Sequence, residues 1–290
     1  MGASYQAAQV PVGPNVPGHI VLLLLISSWK AFTLSLVTDT VQLDDADGVL
    51  VITINRPQAR NALNSEVAHG MAAALDALDA RDDLSVGVLT GAGGTFCAGM
   101  DLKAFLTGES PSIPGRGLAG LTQAPPAKPL IAAVEGYALA GGCELALACD
   151  LIVAADSARF GIPEVKRGLV AGAGGLLRLP RRLPYQVAME LALTGAFLEA
   201  RRAYELGLVN RLTETGGALA AARELAAAIA ANGPLAVRAT KHIISHADEW
   251  PVTEFWERQA AIIGPVFTSQ DAREGALAFA EKRPPRWTGR

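Results

Sequence analysis

Apolar and polar positions follow two rhythms along this chain. Gly48–Asn55 (GVLVITIN) is a nearly unbroken apolar, β-branched run bounded by glycine and by Arg56-Pro57, and predicts a buried strand. After a loop over Pro57–Leu63, Asn64 and Ser65 supply a cap for a helix running to about Ala80, with Val67, Met71, Leu75 and Leu78 on one face. Val86–Thr90, Leu130–Val134 and Leu151–Ala154 predict three more strands, with a helix over Cys143–Cys149 between the last two. Beyond Pro184 the pattern turns alanine-rich and helical, over 185–194, 200–206, 218–231, 234–247, 254–267 and 270–281, with one short strand near Leu208–Arg211. Strands alternating with helices imply a parallel α/β organisation. No internal repeat or heptad run appears.

Glycine marks the turns between these elements. Gly91–Leu102 (GAGGTFCAGMDL) must hold unusual backbone angles, but it is no dinucleotide fingerprint, because Phe96 stands where G-x-G-x-x-G needs its third glycine. No phosphate-binding G-x-x-x-x-G-K-[ST] occurs. Residues 107–129 are rich in glycine, proline and serine, and predict a long loop of the kind that serves as a lid or binding segment. Ala171–Gly175 is another glycine turn, leading into a helix with Leu176, Leu177 and Leu179.

Composition narrows the classes. With 290 residues, half of them hydrophobic, the chain can bury a sizeable core. A net charge of −3 with dispersed basic residues excludes the basic face that nucleic acid needs. The three cysteines, Cys97, Cys143 and Cys149, sit in apolar runs without a C-x-x-C, which fits buried thiols in a reducing, cytoplasmic compartment. Residues 1–36 stand apart as an extension. Their apolar stretch His19–Val37 is interrupted by Ser27, Ser28 and Lys30, so it is a poor membrane span, and a basic n-region is missing. The native chain is expected to begin near Val37, with a core over 37–230 and a C-terminal helical region over 231–290.

The chemistry concentrates in Val134–Glu164. Glu144 and Glu164 lie in apolar, glycine-rich sequence, each at the first turn of an expected helix. An acid in a helix's first turn is ordinary capping practice, and Pro163 before Glu164 fits that reading. Leu145–Ala148, however, offer Glu144 no polar partners, and burial would raise both carboxyl pKa values into a range useful for proton transfer. Gly141-Gly142 lets backbone approach a ligand, and the N–H groups of the following helix suit a developing oxyanion. His242 and His246 form an i, i+4 pair without a third ligand of metal spacing, and read as a solvated helix face.

With these residues in view, the sequence resembles the crotonase superfamily, and most closely bacterial enoyl-CoA hydratases. The likeness spans about residues 38–290 and rests on ordered motifs: NRPQARNALN (55–64), GAGGTFCAGMDL (91–102), AAVEGYALAGGCELALACDLIVA (132–154), FGIPEVKRGL (160–169), GAGG (172–175) and AFAEKRPPRW (278–287). The resemblance implies an α/β spiral of β-β-α turns with a C-terminal helical trimerisation region. It implies that Glu144 activates water and Glu164 exchanges a proton with the substrate α-carbon, while the N–H groups of Met100 and Gly141 hold the thioester oxygen. Ala59, Arg60, Ala62, Leu63, Ala98, Asp101, Leu102 and Lys103 match the coenzyme A cradle. Phe267, Phe279 and Lys282 match contacts that often come from a neighbouring subunit, in a trimer or a dimer of trimers. Met100 stands where many members have alanine, Ile162 where many have glutamine, and Lys166-Arg167 is more basic than usual.

The expected reaction is hydration of a trans-2-enoyl-CoA, with an acyl-CoA thioester as partner, no metal, and no cofactor beyond the coenzyme A carried by the substrate. The rivals are double-bond isomerisation, which needs only one acid/base group, and a non-catalytic acyl-CoA-binding protein, which would tolerate loss of either glutamate.

Overall fold

The computed structural model describes residues 39–290; the expectations for residues 1–36 lie outside them. The chain opens with a hairpin, β1 (Val41–Ala46) and β2 (Val49–Ile54). Asp47 and Gly48 turn it with φ of 52° and 78°, the left-handed pair that a two-residue hairpin loop requires. Helix α1 (Ser65–Ala80) follows, its N-terminus capped by Asn64, which accepts the Val67 N–H at 3.0 Å. Next come β3 (Val86–Gly91), α2 (Leu102–Leu106), a small hairpin of β4 (Ser112–Ile113) and β5 (Gly117–Leu118), then β6 (Leu130–Val134), β7 (Tyr137–Leu139) and α3 (Gly141–Ala148). The second half holds β8 (Leu151–Ala155), β9 (Arg159–Gly161), a 3-10 turn at Pro163–Arg167, α4 (Gly175–Arg182), α5 (Tyr185–Thr194), β10 (Leu198–Glu199), α6 (Ala200–Glu205), β11 (Arg211–Thr213) and α7 (Ala218–Ala230). Helices α8 (Pro234–His246), α9 (Val252–Phe267) and α10 (Gln270–Glu281) complete it.

One six-stranded sheet runs β1-β2-β3-β6-β8-β11, antiparallel at the first pair and parallel after it. Both faces are covered, which is why the strands read as continuous apolar runs. Val67, Met71, Leu75 and Leu78 of α1 join the core cluster on one face, and Ala222 and Ala226 of α7 pack with Val51, Val88, Ile131 and Val153 on the other.

A second layer makes the chain a spiral. After β6 and β8 it enters β7 and β9, which pair in parallel with each other, with β10 alongside. The turns after β2 and β3 repeat this with single bridges, Leu63 to Met100 and Cys97 to Ala138. Each turn is thus a long strand, a short second-layer strand or bridge, and a helix. The ends of the short segments converge, so that residues 98–100, 139–141 and 161–164 become neighbours.

Four expectations need correction. A strand at 41–46 is absent from the sequence reading, as are β7 and β9. The helix carrying Glu144 begins at Gly141 rather than Cys143, and the late strand lies at 211–213 rather than 208–211. The segment 107–129 is more than a loop: it contains β4–β5 and buries Leu118, Ala119 and Leu121. Its anchors are Glu109, which accepts the Ser65 N–H and hydroxyl at 2.7 Å each, and Arg116, paired with Asp76 at 2.8 Å.

Candidate active site

Two backbone donors are set by the spiral. Leu63 donates its N–H to the Gly99 carbonyl at 2.8 Å and accepts the Asp101 N–H at 2.8 Å, so the intervening Met100 N–H points away from Leu63. Gly141 opens α3, where the first N–H groups of a helix have no intrahelical acceptor. The residue before it, Ala140, holds φ 51° and ψ −126°, a backbone conformation that favours glycine and that costs about 1–3 kcal/mol in other residues. The Ala140 N–H donates to the Gly161 carbonyl at 2.8 Å, which fixes this strained turn. Gly99 has φ +98°, and a Cβ there would lie 2.8 Å from the Ala140 Cβ and 3.2 Å from the Gly141 nitrogen. Only glycine lets the two loops approach this closely.

Two carboxylic acids complete the site. Glu144 is 3% exposed, and its Oε1 accepts the Ala173 N–H at 2.7 Å and the Gly175 N–H at 2.8 Å. Burial raises its pKa, opposed by those two donors and by the Arg178 guanidinium. Glu164 follows Pro163 in the 3-10 turn, and its Oε2 is buried without a hydrogen-bond partner among the described residues. Burial raises its pKa first and the charge of Glu144 raises it further, opposed by a hydrogen bond from its own backbone N–H and by Arg167. The sequence reading expects no polar partner for Glu144 from Leu145–Ala148. The partners come instead from the glycine turn about 30 residues downstream, a distance no local pattern could reveal.

Both acids, Met100 and Gly141 line one cavity of about 840 Å³. Ala98, Leu102 and Arg60 lie on its wall, and the Ala98 N–H donates to the Arg60 carbonyl at 3.0 Å. The other walls come from Ile113, Leu118 and Gln123 of the 107–129 segment and from Lys166, Arg167 and Phe197. An apolar pocket with a few convergent polar groups is the usual form of a small-molecule site.

The enoyl-CoA hydratase/isomerase family model matches residues 44–290. The chain belongs to this family. Enoyl-CoA hydratase EchA19 of Mycobacterium tuberculosis is 46% identical over 83% of the chain and 93% of its own length. Carnitinyl-CoA dehydratase of Proteus mirabilis is 42% identical over 87% of the chain and its own full length. The crystal structure of enoyl-CoA hydratase EchA1 from Mycobacterium marinum superposes with a TM-score of 0.85 at 64% identity, covering 87% of this chain and 99% of that one. The fold is the crotonase spiral, and the chain is an enzyme, a hydro-lyase of the crotonase type.

Within this family frame the expected site residues divide. Glu144, Glu164, Met100, Gly141, Arg60, Ala98 and Leu102 meet at the cavity. Ala59, Ala62, Leu63, Asp101 and Lys103 fall outside its lining. Asp101 has a structural assignment: its Oδ1 caps α2 and its Oδ2 pairs with Arg56 at 3.0 Å. Phe267, Phe279 and Lys282 sit on the C-terminal helices, away from the cavity lining of their own chain. Sequence reasoning missed Asn61, fully buried with φ 56°, whose side chain bonds the Arg56 N–H and the Ala92 carbonyl at 2.9 Å each. It clamps the loop carrying Arg60 to the glycine loop after β3. Its signal lay within NRPQARNALN, since asparagine tolerates left-handed backbone better than most residues.

No group of three or more His, Cys, Asp or Glu among the described residues is arranged to hold a metal ion. No helix among them is long and apolar enough to cross a membrane.

Proposed function

We propose that this enzyme adds water across the 2,3 double bond of a trans-2-enoyl-CoA to give a 3-hydroxyacyl-CoA. The observation that carries this reading is the unequal setting of the two acids. Glu144 has one oxygen fixed by two N–H donors beside a guanidinium, which offset part of the rise that burial imposes and leave its second oxygen for a water. Glu164 has a buried, unpartnered oxygen and a carboxylate neighbour, which favours the acid form. Environments that separate two carboxyl groups in this way assign base and acid. Glu144 takes a proton from water as its oxygen bonds to C3; the double-bond electrons move toward the thioester, and Glu164 delivers a proton to C2. Met100 and Gly141 N–H groups hold the negative charge on the thioester oxygen, each contributing roughly 3 kcal/mol.

On this reading coenzyme A is part of the substrate, and the chemistry draws on no other cofactor. Arg60, Ala98 and Leu102 cradle the ester, with Ala59, Ala62, Leu63 and Lys103 behind them. Phe267, Phe279 and Lys282 reach it from a neighbouring subunit of a trimer or a dimer of trimers, in the cytoplasm. The presence of a second acid/base group favours hydration over isomerisation.

The test is loss of the ultraviolet absorbance of the conjugated thioester with crotonyl-CoA and with longer or branched enoyl-CoAs. Glu144→Gln and Glu164→Gln should each lower turnover roughly 10²–10⁴-fold with little change in ester binding. A near wild-type rate in either variant would make that residue structural.

A further inference from the structure

Arg178, one turn into α4, is half-buried and makes no ion pair shorter than 4 Å among the described residues. Its Nη2 donates to the Thr122 carbonyl at 2.6 Å and its Nη1 reaches the Ala173 carbonyl at 3.5 Å. These two acceptors belong to different parts of the site. Ala173 begins the turn whose N–H groups hold Glu144 Oε1, and Gly174, in the middle of that turn, has φ +99° with its Cβ direction filled by Arg178 Nη1. The turn is folded over the guanidinium. Thr122 ends the buried run Gly117–Thr122, and its hydroxyl accepts the Leu118 N–H at 3.0 Å. Leu118 in turn packs where a Cβ on Gly141 would stand, 2.8 Å from its Cδ2.

We propose that Arg178 is a positioning residue for this reaction, fixing the Ala173–Gly175 turn so that Glu144 presents its second oxygen to the cavity, and latching the Leu118–Thr122 segment over the oxyanion donor Gly141. The inference rests on the reading of Glu144 as the base. A planar fork suits this task because it can bond two carbonyls at once, which a lysine ammonium on a flexible stem does less well. Charge supports the geometry. The guanidinium counteracts the rise that burial imposes on Glu144. The titratable groups around this pair are Arg181 and Arg182 on α4, Glu164 with Arg167 across the cavity, and the Cys149 thiol at the end of α3, which burial pushes up to about 12 and keeps neutral.

The experiment compares Arg178→Met, Arg178→Lys, Glu144→Gln and the Arg178→Met/Glu144→Gln double variant by kcat, KM and the pH profile of kcat with crotonyl-CoA, each after a thermal melt. Arg178→Met should lower kcat on the order of 10–100-fold through misplacement of Glu144. Its acid limb should move up, because the cation is gone. Arg178→Lys should keep the acid limb near that of the wild type while kcat still falls, because the charge remains and the fork is lost. The double variant should be no slower than Glu144→Gln. A folded Arg178→Met enzyme with wild-type kcat and acid limb overturns the inference, as does a double variant slowed by both factors in full. If Arg178→Met does not fold, Arg178→Lys decides: reduced kcat supports the inference and unchanged kcat overturns it. A Glu144→Gln enzyme at the wild-type rate overturns the hydration reading and this inference together, whereas an inactive Glu144→Gln beside an unaffected Arg178→Met overturns this inference alone.

Discussion

Helices α1 and α9 are both 16 residues long, and they settle their apolar residues differently. Seven residues of α1 are buried, Met71 and Leu78 completely, because the parallel sheet of its own chain covers that face. None of α9 is buried, although it carries Phe255, Trp256, Ile262, Ile263, Val266 and Phe267; Trp256 is 71% exposed and Phe267 76%. Helix α8 likewise buries no residue. The spiral therefore completes its core within one chain, and the C-terminal helices do not. Helices draw most of their stability from packing rather than propensity, so the uncovered face is what the proposed oligomer would bury. The tail is nevertheless tied to its own helices: Trp287 Nε1 donates to the Ala231 carbonyl at 2.8 Å, and Asp271 accepts the N–H groups of Thr288 and Gly289 at 2.7 and 2.9 Å.

The largest expected effect tests this contrast directly. Leu75→Ala empties a fully packed site under the sheet and should cost about 2–5 kcal/mol in denaturant unfolding at any protein concentration. Trp256→Ala should cost within about 0.5 kcal/mol if its face meets only water. If a second subunit covers that face, the substitution should instead lower the light-scattering mass and make the melting temperature depend on concentration. Equal, concentration-independent losses at both positions would erase the distinction.

A second prediction sharpens the comparison inside the spiral, where a region built for burial holds two acids. Both Glu144 and Glu164 have folded pKa values raised above the ordinary 4.5. The folded state therefore prefers their protonated forms; that preference is fully present below pH 4.5 and is lost as pH rises through the folded values. Glutamine replaces the acid without ionising. Glu164→Gln, whose carboxyl has the unpartnered oxygen, should melt higher than the wild type at neutral pH, with the gain shrinking as pH falls toward 4.5. A gain that grows toward low pH would reverse the sign and place a stabilising cation beside Glu164. Glu144→Gln should gain less, because Ala173 and Gly175 already offset the burial of Glu144.

What the sequence shows and what it hides follow the same physical division. Helix α1 is legible because Asn64, Val67, Met71, Leu75 and Leu78 repeat at helical spacing, and β3, β6 and β8 because they are apolar on both faces. Strands β7 and β9 are three residues each, too short for a periodicity, and β1 carries Asp44 and Asp45, which mask the alternation leading into the Asp47-Gly48 turn. Of the site, the two acids stand out as charges in apolar runs, and Gly141 as part of a glycine pair. The donors to Glu144, the clamp of Asn61 and the fork of Arg178 do not, because each depends on a partner 29 to 56 residues away along the chain. The positions expected for coenzyme A on α9 and at or beyond the end of α10 carry no such signal either, since a contact to the proposed neighbouring subunit would leave no periodicity in the chain that makes it.

The smallest expected effect probes that last point. In AFAEKRPPRW, Arg283 is held by Glu274 at 2.6 and 2.9 Å and by Glu281 at 2.6 Å, while Lys282 caps α10 with φ 55° and its side chain forms no ion pair shorter than 4 Å among the described residues. Two adjacent cations thus have different tasks, one fastening the tail and one available to a phosphate. Lys282→Ala should raise KM for crotonyl-CoA about two- to five-fold, the size of an exposed ion pair, and leave kcat nearly unchanged because the phosphates lie far from the reacting carbons. The rise should fade at high salt, which screens exposed charges. Arg283→Ala should instead loosen the tail and lower the melting temperature. Because Lys282 does not line its own chain's cavity, a KM change in Lys282→Ala requires a neighbouring subunit to deliver it; kinetics identical to the wild type at low salt would remove Lys282 from the site and weaken the argument that α9 and α10 serve a second active site.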